Sequence, residues 1–395
     1  MREDALVRRI HELTQSYTFQ EPLARYLKNY FSEHRNMGAR DRRETREWMY
    51  NYYRLGNVLS NEDFNTRLCI ANFLCSDKSY PSLEVLLSQS GTLDVSFVEK
   101  NLDEKINYVR SLFPAFNLED IFPFLNEVSK RLNKQALLHS YFTQPFVWIR
   151  VRRKYLQDVK DELIEKSISF FETTEQTLAL AFRNSSALNT LHAFEKGWFE
   201  IQDLNSQKTG NFFFAKEGEK WWDACAASGG KSLLLKDIEP GVDLLATDNR
   251  ETILNNLRLR MARAGVGGFR VEVLDLLHEN GLKTGALFDG IIADVPCSGS
   301  GTWTRTPENL KSFNSDLLSG HFVPLQRKIV SNLTVSLKKS GTLVYITCSI
   351  FEKENEGNIA FFEQKLGLRT EAFQYLEGSE TGSDTLFVAR LKKKA

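Results

Sequence analysis

The 395-residue chain has few cysteines, few prolines, no net charge and no long apolar run, and each of these excludes a class of protein. Five cysteines, none in a Cys-x-x-Cys pair, are too few for a disulfide framework, so we expect reduced thiols and a cytoplasmic protein. Nine prolines and 23 glycines exclude collagen-like and low-complexity chains. Lys and Arg total 51, as do Asp and Glu, so no net charge draws the whole protein to nucleic acid. Because no apolar run approaches the ~20 residues of a membrane span, we expect no membrane partner.

The remaining composition is that of a folded protein. The chain is 42% hydrophobic and 26% charged, and its length predicts two or three domains. Residues 1–138 show helical spacing of apolar side chains and predict an all-α domain. Residues 139–205 contain the strand-like runs FVWIRVRR, TLALAF and WFEIQD and predict a small α+β domain. Residues 206–395 alternate strands and helices, which predicts an α/β domain with a mainly parallel sheet.

Two basic segments are candidate nucleic-acid contacts. One predicted helix carries four arginines: Arg40, Arg42, Arg43 and Arg46. A solvated helix face and a contact with an RNA backbone explain this helix equally well. The predicted strand FVWIRVRR and the residue after it carry Arg150, Arg152, Arg153 and Lys154. Here we favour a nucleic-acid contact slightly over an edge strand protected by charge.

The predicted strands of the α/β region end in residues that carry chemistry. Ligands of open α/β sheets bind outside the carboxyl ends of the strands. The first strand, KWWDA, precedes the turn CAASGGKS, where Gly229 and Gly230 let a ligand approach the backbone. Asp248 ends the second strand, at the position where an acid commonly binds ribose hydroxyls. The later strand ends carry Asp275, Asp294 with Cys297, and Cys348. Together these residues predict a nucleoside site faced by two thiols.

The turn CAASGGKS limits which nucleoside fits. It resembles the tail of a phosphate-binding P-loop, but the P-loop begins with a glycine where this chain has Cys225. A Gly-x-Gly-x-x-Gly dinucleotide fingerprint is absent as well. A turn with few glycines and an acid at the second strand end suits an adenosyl ligand without pyrophosphate. S-adenosylmethionine fits best, and an ATP-dependent enzyme is the weakest of our hypotheses.

Four segments resemble, in order, the motifs of the RsmB/NOP2/Sun family of RNA cytosine-5 methyltransferases: DACAASGGKS, ATDNRETILNNLRLRMARAG, DGIIADVPCSGSGTWTRTPE and YITCSIFEKENEGNI. GWFEIQDLNSQ resembles the segment that enters the family's catalytic domain, and the helical first region resembles, more weakly, the NusB-like RNA-binding domain of bacterial RsmB proteins. The resemblance implies a class I S-adenosylmethionine-dependent methyltransferase domain, Rossmann-like and α/β. An all-α domain and a small α+β domain would precede it.

For the cofactor, the resemblance implies a binding turn and three acids. The turn that wraps the methionine and ribose end would consist of Cys225, Ala226, Ala227, Ser228, Gly229, Gly230 and Lys231. Asp248 would bind the ribose hydroxyls, Asp275 would lie at the adenine, and Asp294 would lie between cofactor and target base. The family usually has proline where this chain has Ser228, which puts cofactor affinity in doubt.

For catalysis, the resemblance implies that Cys348 is the nucleophile that adds to C6 of cytosine and that Cys297 assists product release. The attacking species is a thiolate, and we expect Cys348 to lie just before a helix N-terminus, whose dipole favours the anion. Asp294 would stabilise the adduct at the cytosine N3/N4 edge. Lys231 would tune that carboxylate or play a structural part only.

The implied partner is RNA, with a single-stranded or flipped target base. The resemblance of the first region favours ribosomal RNA over transfer RNA, although Thr306, where the family often has His or Asn, puts recognition there in doubt. We expect a monomer and no metal ion. The alternative from another class is an RNA-binding ribosome assembly factor that has lost catalysis, and the intact pair Cys297 and Cys348 argues against it.

Overall fold

The structure is a computed structural model that describes residues 2–173, 178–183, 188–278 and 285–394. The chain divides into two compact units. The helical unit comprises the residues up to Asn126, Asn133–Gln144 and Trp303–Asn314, and the sheet unit comprises Glu127–Leu132, Pro145–Thr302 and the residues from Ser315 onward. The predicted domain 139–205 therefore lies mostly in one unit with the α/β region. The division at 138 and 205 stays a prediction, since one compact unit can hold two domains.

The elements follow one another along the whole chain. The α-helices are α1 (Arg2–Ser16), α2 (Leu23–Glu33), α3 (Ala39–Arg54), α4 (Phe64–Cys75), α5 (Pro81–Ser90), α6 (Leu102–Leu112), α7 (Lys134–Ser140), α8 (Leu156–Glu165), α9 (His192–Glu195), α10 (Leu204–Lys208), α11 (Gly230–Ile238), α12 (Glu251–Arg263), α13 (Asn309–Ser312), α14 (Val323–Thr334) and α15 (Glu356–Lys365). The strands are β1 (Val147–Val151), β2 (Phe171–Glu172), β3 (Ala179–Phe182), β4 (Phe199–Ile201), β5 (Lys220–Asp223), β6 (Asp243–Asp248), β7 (Phe269–Val273), β8 (Phe288–Asp294), β9 (Leu337–Thr347), β10 (Leu368–Leu376) and β11 (Leu386–Lys393).

The helical unit contains α1–α7, most of which the apolar spacing predicts, and α13, which comes from the region predicted as α/β. Three of its helices, α4, α6 and α7, begin at a side-chain cap; Asp63, for example, accepts hydrogen bonds from the main-chain N–H groups of the first turn of α4. Trp48 on α3 is fully buried. The arginine-rich helix α3 is only partly available to a partner, because Arg40 pairs with Glu44 at 2.7 Å and Arg54 is buried. No described helix of the chain is long and apolar enough to cross a bilayer.

The small sheet of the sheet unit corrects one interpretation of the basic strand. Its order is β2-β3-β1-β4, so β1 is an interior strand and not a charged edge. Arg150 on β1 is buried and donates to Asp237 on α11 at 2.5 Å, and Arg152 lies 2.8 Å from the other oxygen of that carboxylate. Both arginines are thus structural in part, and only Arg153 and Lys154 are exposed. Thr177, the first residue of the predicted strand TLALAF, lies outside the described residues.

The large sheet has the order β10-β11-β9-β8-β5-β6-β7. Strands β5–β9 pair in parallel, and β11 pairs antiparallel with both β9 and β10. Buried apolar side chains of β5, β6, α11 and α12 form the core beneath the turn after β5. This arrangement confirms the predicted Rossmann-like α/β fold class.

The sequence prediction for the large sheet was wrong at one strand end and missed one strand. The third predicted strand ends at Val273 and not at Asp275. Strand β10, at the sheet edge, was not predicted, because polar residues interrupt the apolar ones in LRTEAFQYL without a regular alternation.

Candidate active site at the carboxyl edge of the large sheet

The predicted site residues follow the ends of five neighbouring strands. In spatial order these strands are β9, β8, β5, β6 and β7, and all five run in parallel. The residues at or just after their ends are Cys348, Asp294 with Cys297, the turn 225–231, Asp248 and Asp275. The sheet therefore brings to one edge residues that lie more than a hundred positions apart in sequence.

The turn after β5 is held by its main chain. The N–H of Ala226 donates to Thr247 O at 2.8 Å, and the N–H of Ala227 donates to Asp248 Oδ2 at 3.1 Å. Gly229 caps α11 with a left-handed φ of 85°. A Cβ at this position would lie 2.7 Å from Cγ of Leu257, so both backbone conformation and space favour glycine. Ala227, Ser228 and Gly230 are half-buried, which leaves part of the turn accessible to a ligand.

Asp248 is buried at the end of β6, and both of its oxygens are engaged. Oδ2 accepts the hydrogen bond from Ala227, and the side chain of Arg250 reaches both oxygens, with Nε 2.9 Å from Oδ1. The Arg250 side chain is 61% exposed and is free to leave the carboxylate. The site thus presents a fixed acid under a movable cation.

Lys231 and Asp294 form an ion pair in the middle of the edge. Nζ of the buried Lys231 lies 3.0 Å from Asp294 Oδ2 and donates to Ser206 Oγ at 2.8 Å. The predicted contact between the lysine and this carboxylate is thus present. Because Nζ is held inside the protein, it does not extend from the turn as a P-loop lysine would.

Asp223, at the end of β5, is an acid for which the sequence predicted no role. Burial raises its pKa from 3.8 to about 7, although a hydrogen bond from Ser232 Oγ at 2.6 Å opposes part of this rise. No group in the described part of the chain donates to its second oxygen. The only available signal was its place in DACAASGGKS, at a strand end like the other acids.

The two thiols lie side by side. Cys297 Sγ is 3.3 Å from Cys348 Sγ, although the residues are 51 positions apart. The hydrogen bond to Cys348, together with burial, raises the pKa of Cys297 well above its usual value. Both side chains are half-buried. Gly301 N donates to Cys348 O at 2.9 Å. A Cβ on Gly301 would lie 1.9 Å from Thr385 O, so only glycine fits where these main-chain segments meet.

The structure departs from one sequence prediction about the site, and it describes the surroundings of two other predicted residues. Cys348 does not immediately precede a helix N-terminus: a 3₁₀ turn begins at Glu352 and α15 begins at Glu356. Asp275 is 41% exposed and accepts a hydrogen bond from the N–H of Leu277. Its expected place at the adenine stays a prediction. Burial and the acids around it raise the pKa of Cys225, which therefore keeps its proton.

A buried polar network around the thiols was not anticipated from the sequence. Glu354, fully buried, accepts from Ser298 N and Ser298 Oγ at 2.9 and 2.6 Å, from Gln326 Nε2 at 2.8 Å, and from Ser349 Oγ. The acidic run EKENE predicts a surface segment, and no pattern in it marks the one buried carboxylate. Within the described residues, no cluster of three or more His, Cys, Asp or Glu side chains is arranged to hold a metal.

Comparisons with known proteins match the region of the chain that contains this edge of the sheet. Residues 212–391 match the family model described as 16S rRNA methyltransferase RsmB/F. The ribosomal RNA small subunit methyltransferase B of Photorhabdus laumondii is 31% identical over 275 residues, 66% of this chain and 62% of that protein. The protein of the same name from Citrobacter koseri is 31% identical over 282 residues, 67% of this chain and 65% of that protein. The chain thus spans less than two thirds of the length of these curated relatives.

Solved structures share the fold. The crystal structure of PH0851 superposes with a TM-score of 0.67 at 20% identity, over 93% of each chain. The structure of NSun6 from Pyrococcus horikoshii with SFG has a TM-score of 0.57 at 18% identity, over 73% of this chain and 97% of that one. With the curated relatives, these findings confirm the expected resemblance: residues 212–391 form a methyltransferase domain of the RsmB/F family.

Proposed function

We propose that the protein transfers a methyl group from S-adenosylmethionine to C5 of a cytosine in RNA, through a covalent bond between Cys348 and C6. The observation that carries the proposal is the pair of thiols 3.3 Å apart at the ends of adjacent parallel strands, in a domain of this family. Ribosomal RNA is the favoured substrate, since the curated relatives are named for the small ribosomal subunit. Transfer RNA is the second candidate.

The turn after β5 and Asp248 fit an adenosyl cofactor. Asp248 offers two carboxylate oxygens, which suits a pair of ribose hydroxyls, and the half-buried turn 225–230 offers main-chain groups for the methionine end. Lys231 is committed to Asp294 and Ser206, so the turn lacks the cation that a triphosphate needs. When bound, S-adenosylmethionine supplies an electrophilic methyl group on a positively charged sulfur.

The thiols divide the covalent chemistry between them. C5 of cytosine is a weak nucleophile, and a bond from the Cys348 thiolate to C6 makes C5 electron-rich enough to accept the methyl group. Solvent water then takes the proton from C5, the electron pair of the C5–H bond re-forms the C5–C6 double bond, and the S–C6 bond breaks with its pair on the Cys348 sulfur. Cys297 keeps its proton because its pKa is raised, so its S–H can donate to the departing Cys348 sulfur. Asp294, fixed by Lys231, would hold the cytosine N3/N4 edge.

Nucleoside mass spectrometry tests the proposal. RNA and small ribosomal subunits without the modification are incubated with S-adenosylmethionine and wild type, Cys348→Ala or Cys297→Ala. We expect 5-methylcytidine with wild type, none with Cys348→Ala, and a slowly migrating protein–RNA adduct with Cys297→Ala. Cofactor and RNA binding by wild type without methylated product would replace the proposal with the assembly-factor hypothesis, and product only on transfer RNA would correct the substrate.

A further inference from the structure

One buried carboxylate connects the two segments that carry the thiols. Glu354 ends the 3₁₀ turn Glu352–Glu354 and is 0% exposed. Ser298, which follows Cys297, donates to it through both its N–H and its hydroxyl, at 2.9 and 2.6 Å. Ser349, which follows Cys348, donates its hydroxyl to the same oxygen as the Ser298 hydroxyl. Each thiol is therefore one peptide bond away from a residue that Glu354 holds.

The remaining donor extends this connection to the main chain on the other side of Cys297. Gln326 on α14 donates from Nε2 to Glu354 Oε1 at 2.8 Å and to Pro296 O at 3.0 Å. The main-chain oxygen of Glu354 accepts from Tyr345 OH at 2.7 Å, which fixes the carboxylate relative to β9. No Lys or Arg in the described part of the chain pairs with Glu354, so four hydrogen-bond donors, and no counter-ion, satisfy its charge.

We propose that Glu354 is a positioning residue for the two thiols, which sets the spacing and orientation of Cys297 and Cys348 by binding the segment after each. The inference rests on the proposed function for its catalytic meaning. Only a carboxylate can accept all four donors with two oxygens, because an amide would turn one acceptor into a donor facing Ser298 or Ser349. A half-satisfied buried network is costly, so its loss moves the segments apart. Misplacement of a reacting group by ~1 Å costs on the order of 10²-fold in rate.

The test compares Glu354→Gln with Glu352→Gln, the same change on an exposed side chain in the same turn. One readout is the single-turnover rate of methyl transfer, and a second is the calorimetric Kd for S-adenosylmethionine. The third is the rate at which diamide oxidises the pair Cys297 and Cys348 to a disulfide, with diamide reduced to its hydrazine; peptide mass spectrometry separates this bond from the other cysteines.

We expect Glu354→Gln to slow methyl transfer by about 10²-fold, with Kd within about twofold of wild type. Disulfide formation slows as well, and Glu352→Gln behaves as wild type. The double variant Glu354→Gln/Ser349→Ala should be slowed by less than the product of the two single effects, because the serine acts in part through the carboxylate. A merely structural role would instead lower cofactor affinity together with the rate.

Wild-type rates of methyl transfer and disulfide formation in Glu354→Gln would overturn the inference. If that variant fails to fold, Ser298→Ala and Ser349→Ala each remove one hydroxyl donor, and unchanged thiol oxidation in both would overturn it equally. If wild type transfers no methyl group at all, the proposed function fails, and the disulfide readout still decides whether Glu354 positions the thiols.

Discussion

The carboxyl edge of the large sheet has two halves that are built in different ways. The turn half consists of residues 225–231 and Asp248, on the strands β5 and β6. It is local: a short turn folds between β5 and α11 and is held by main-chain hydrogen bonds to the neighbouring strand. The thiol half consists of Cys297, Cys348 and their supports: Glu354, Gln326 on α14, and Thr385 just before β11. Its contacts join distant segments, as in the donation from Thr385 N to Gly301 O at 2.9 Å.

This difference determines how each half should respond to change. A turn held by its own backbone conformation depends mainly on which residues can adopt that conformation. A buried network of side chains and crossing backbones depends on all its members together, because each donor left without an acceptor costs about 1–3 kcal/mol. We therefore expect the thiol half to be the more sensitive of the two.

A matched pair of glycine substitutions gives the largest expected difference. In Gly301→Ala the new Cβ would lie 1.9 Å from Thr385 O and 3.1 Å from Cys348 O, both main-chain atoms. In Gly229→Ala the nearest atom is Cγ of Leu257, a side chain, and the added cost is a left-handed φ of 85°. We expect a loss of about 4–5 kcal/mol for Gly301→Ala and about 1–3 kcal/mol for Gly229→Ala, measured by urea unfolding. Equal losses would remove the distinction between the halves.

The same contrast explains what the sequence could predict. The turn half is encoded in neighbouring residues: the pair Gly229 and Gly230 and the acid Asp248, each at a predicted strand end, are enough to indicate a nucleoside site. The strand ends carrying Cys297 and Cys348 were also predictable, because parallel strands place their carboxyl ends together. The family resemblance added the expected roles.

The supports of the thiol half were not predictable. Glu354 lies in the run EKENE, where composition indicates a surface, and burial of one of its three glutamates follows only from how α14 and β9 pack. The sequence missed the structural role of Arg150 on the basic strand for a related reason. Its partner, Asp237, is 87 residues away on α11. Long-range pairing between side chains leaves no local pattern, whereas a turn does.

The second prediction concerns Asp223, between the two halves. Burial raises its pKa from 3.8 to about 7, so between these values the folded state holds a proton that the unfolded chain has lost. The contribution of Asp223 to the free energy of unfolding therefore falls as the pH rises from about 4 to 7. The side chain of Asp223→Asn cannot titrate. We therefore expect its free energy of unfolding, relative to that of wild type, to rise by about 2–4 kcal/mol between pH 4 and pH 7.

Urea unfolding of both proteins at several pH values between 4 and 8 measures this difference. Ser232→Ala is the control, because it removes the hydrogen bond that lowers the pKa of Asp223 and should move the window to higher pH. A pH-independent difference between Asp223→Asn and wild type would mean that the carboxyl is charged in the folded protein. Its charge would then need a donor for the oxygen that has none among the described residues.

The smallest expected effect belongs to Arg250, the exposed cation over Asp248. Exposed ion pairs contribute about 0–1 kcal/mol, so Arg250→Ala should change the free energy of unfolding by less than about 1 kcal/mol. The Ala227 N–H still holds the carboxylate, and both oxygens become available to ribose hydroxyls. We therefore expect no loss of affinity for S-adenosylmethionine in calorimetry, whereas Asp248→Asn loses about 10- to 100-fold with its charged acceptor.

A tenfold loss of affinity in Arg250→Ala would contradict this picture of the turn half. It would mean that the guanidinium orients Asp248, much as Glu354 is proposed to orient the thiols, and that main-chain hydrogen bonds alone do not hold the site. Lysine in place of Arg250 separates the two cases, because it keeps the charge and loses the planar contact with both oxygens. Affinity restored by Arg250→Lys would assign the effect to charge, and affinity still lost would assign it to the geometry of the guanidinium.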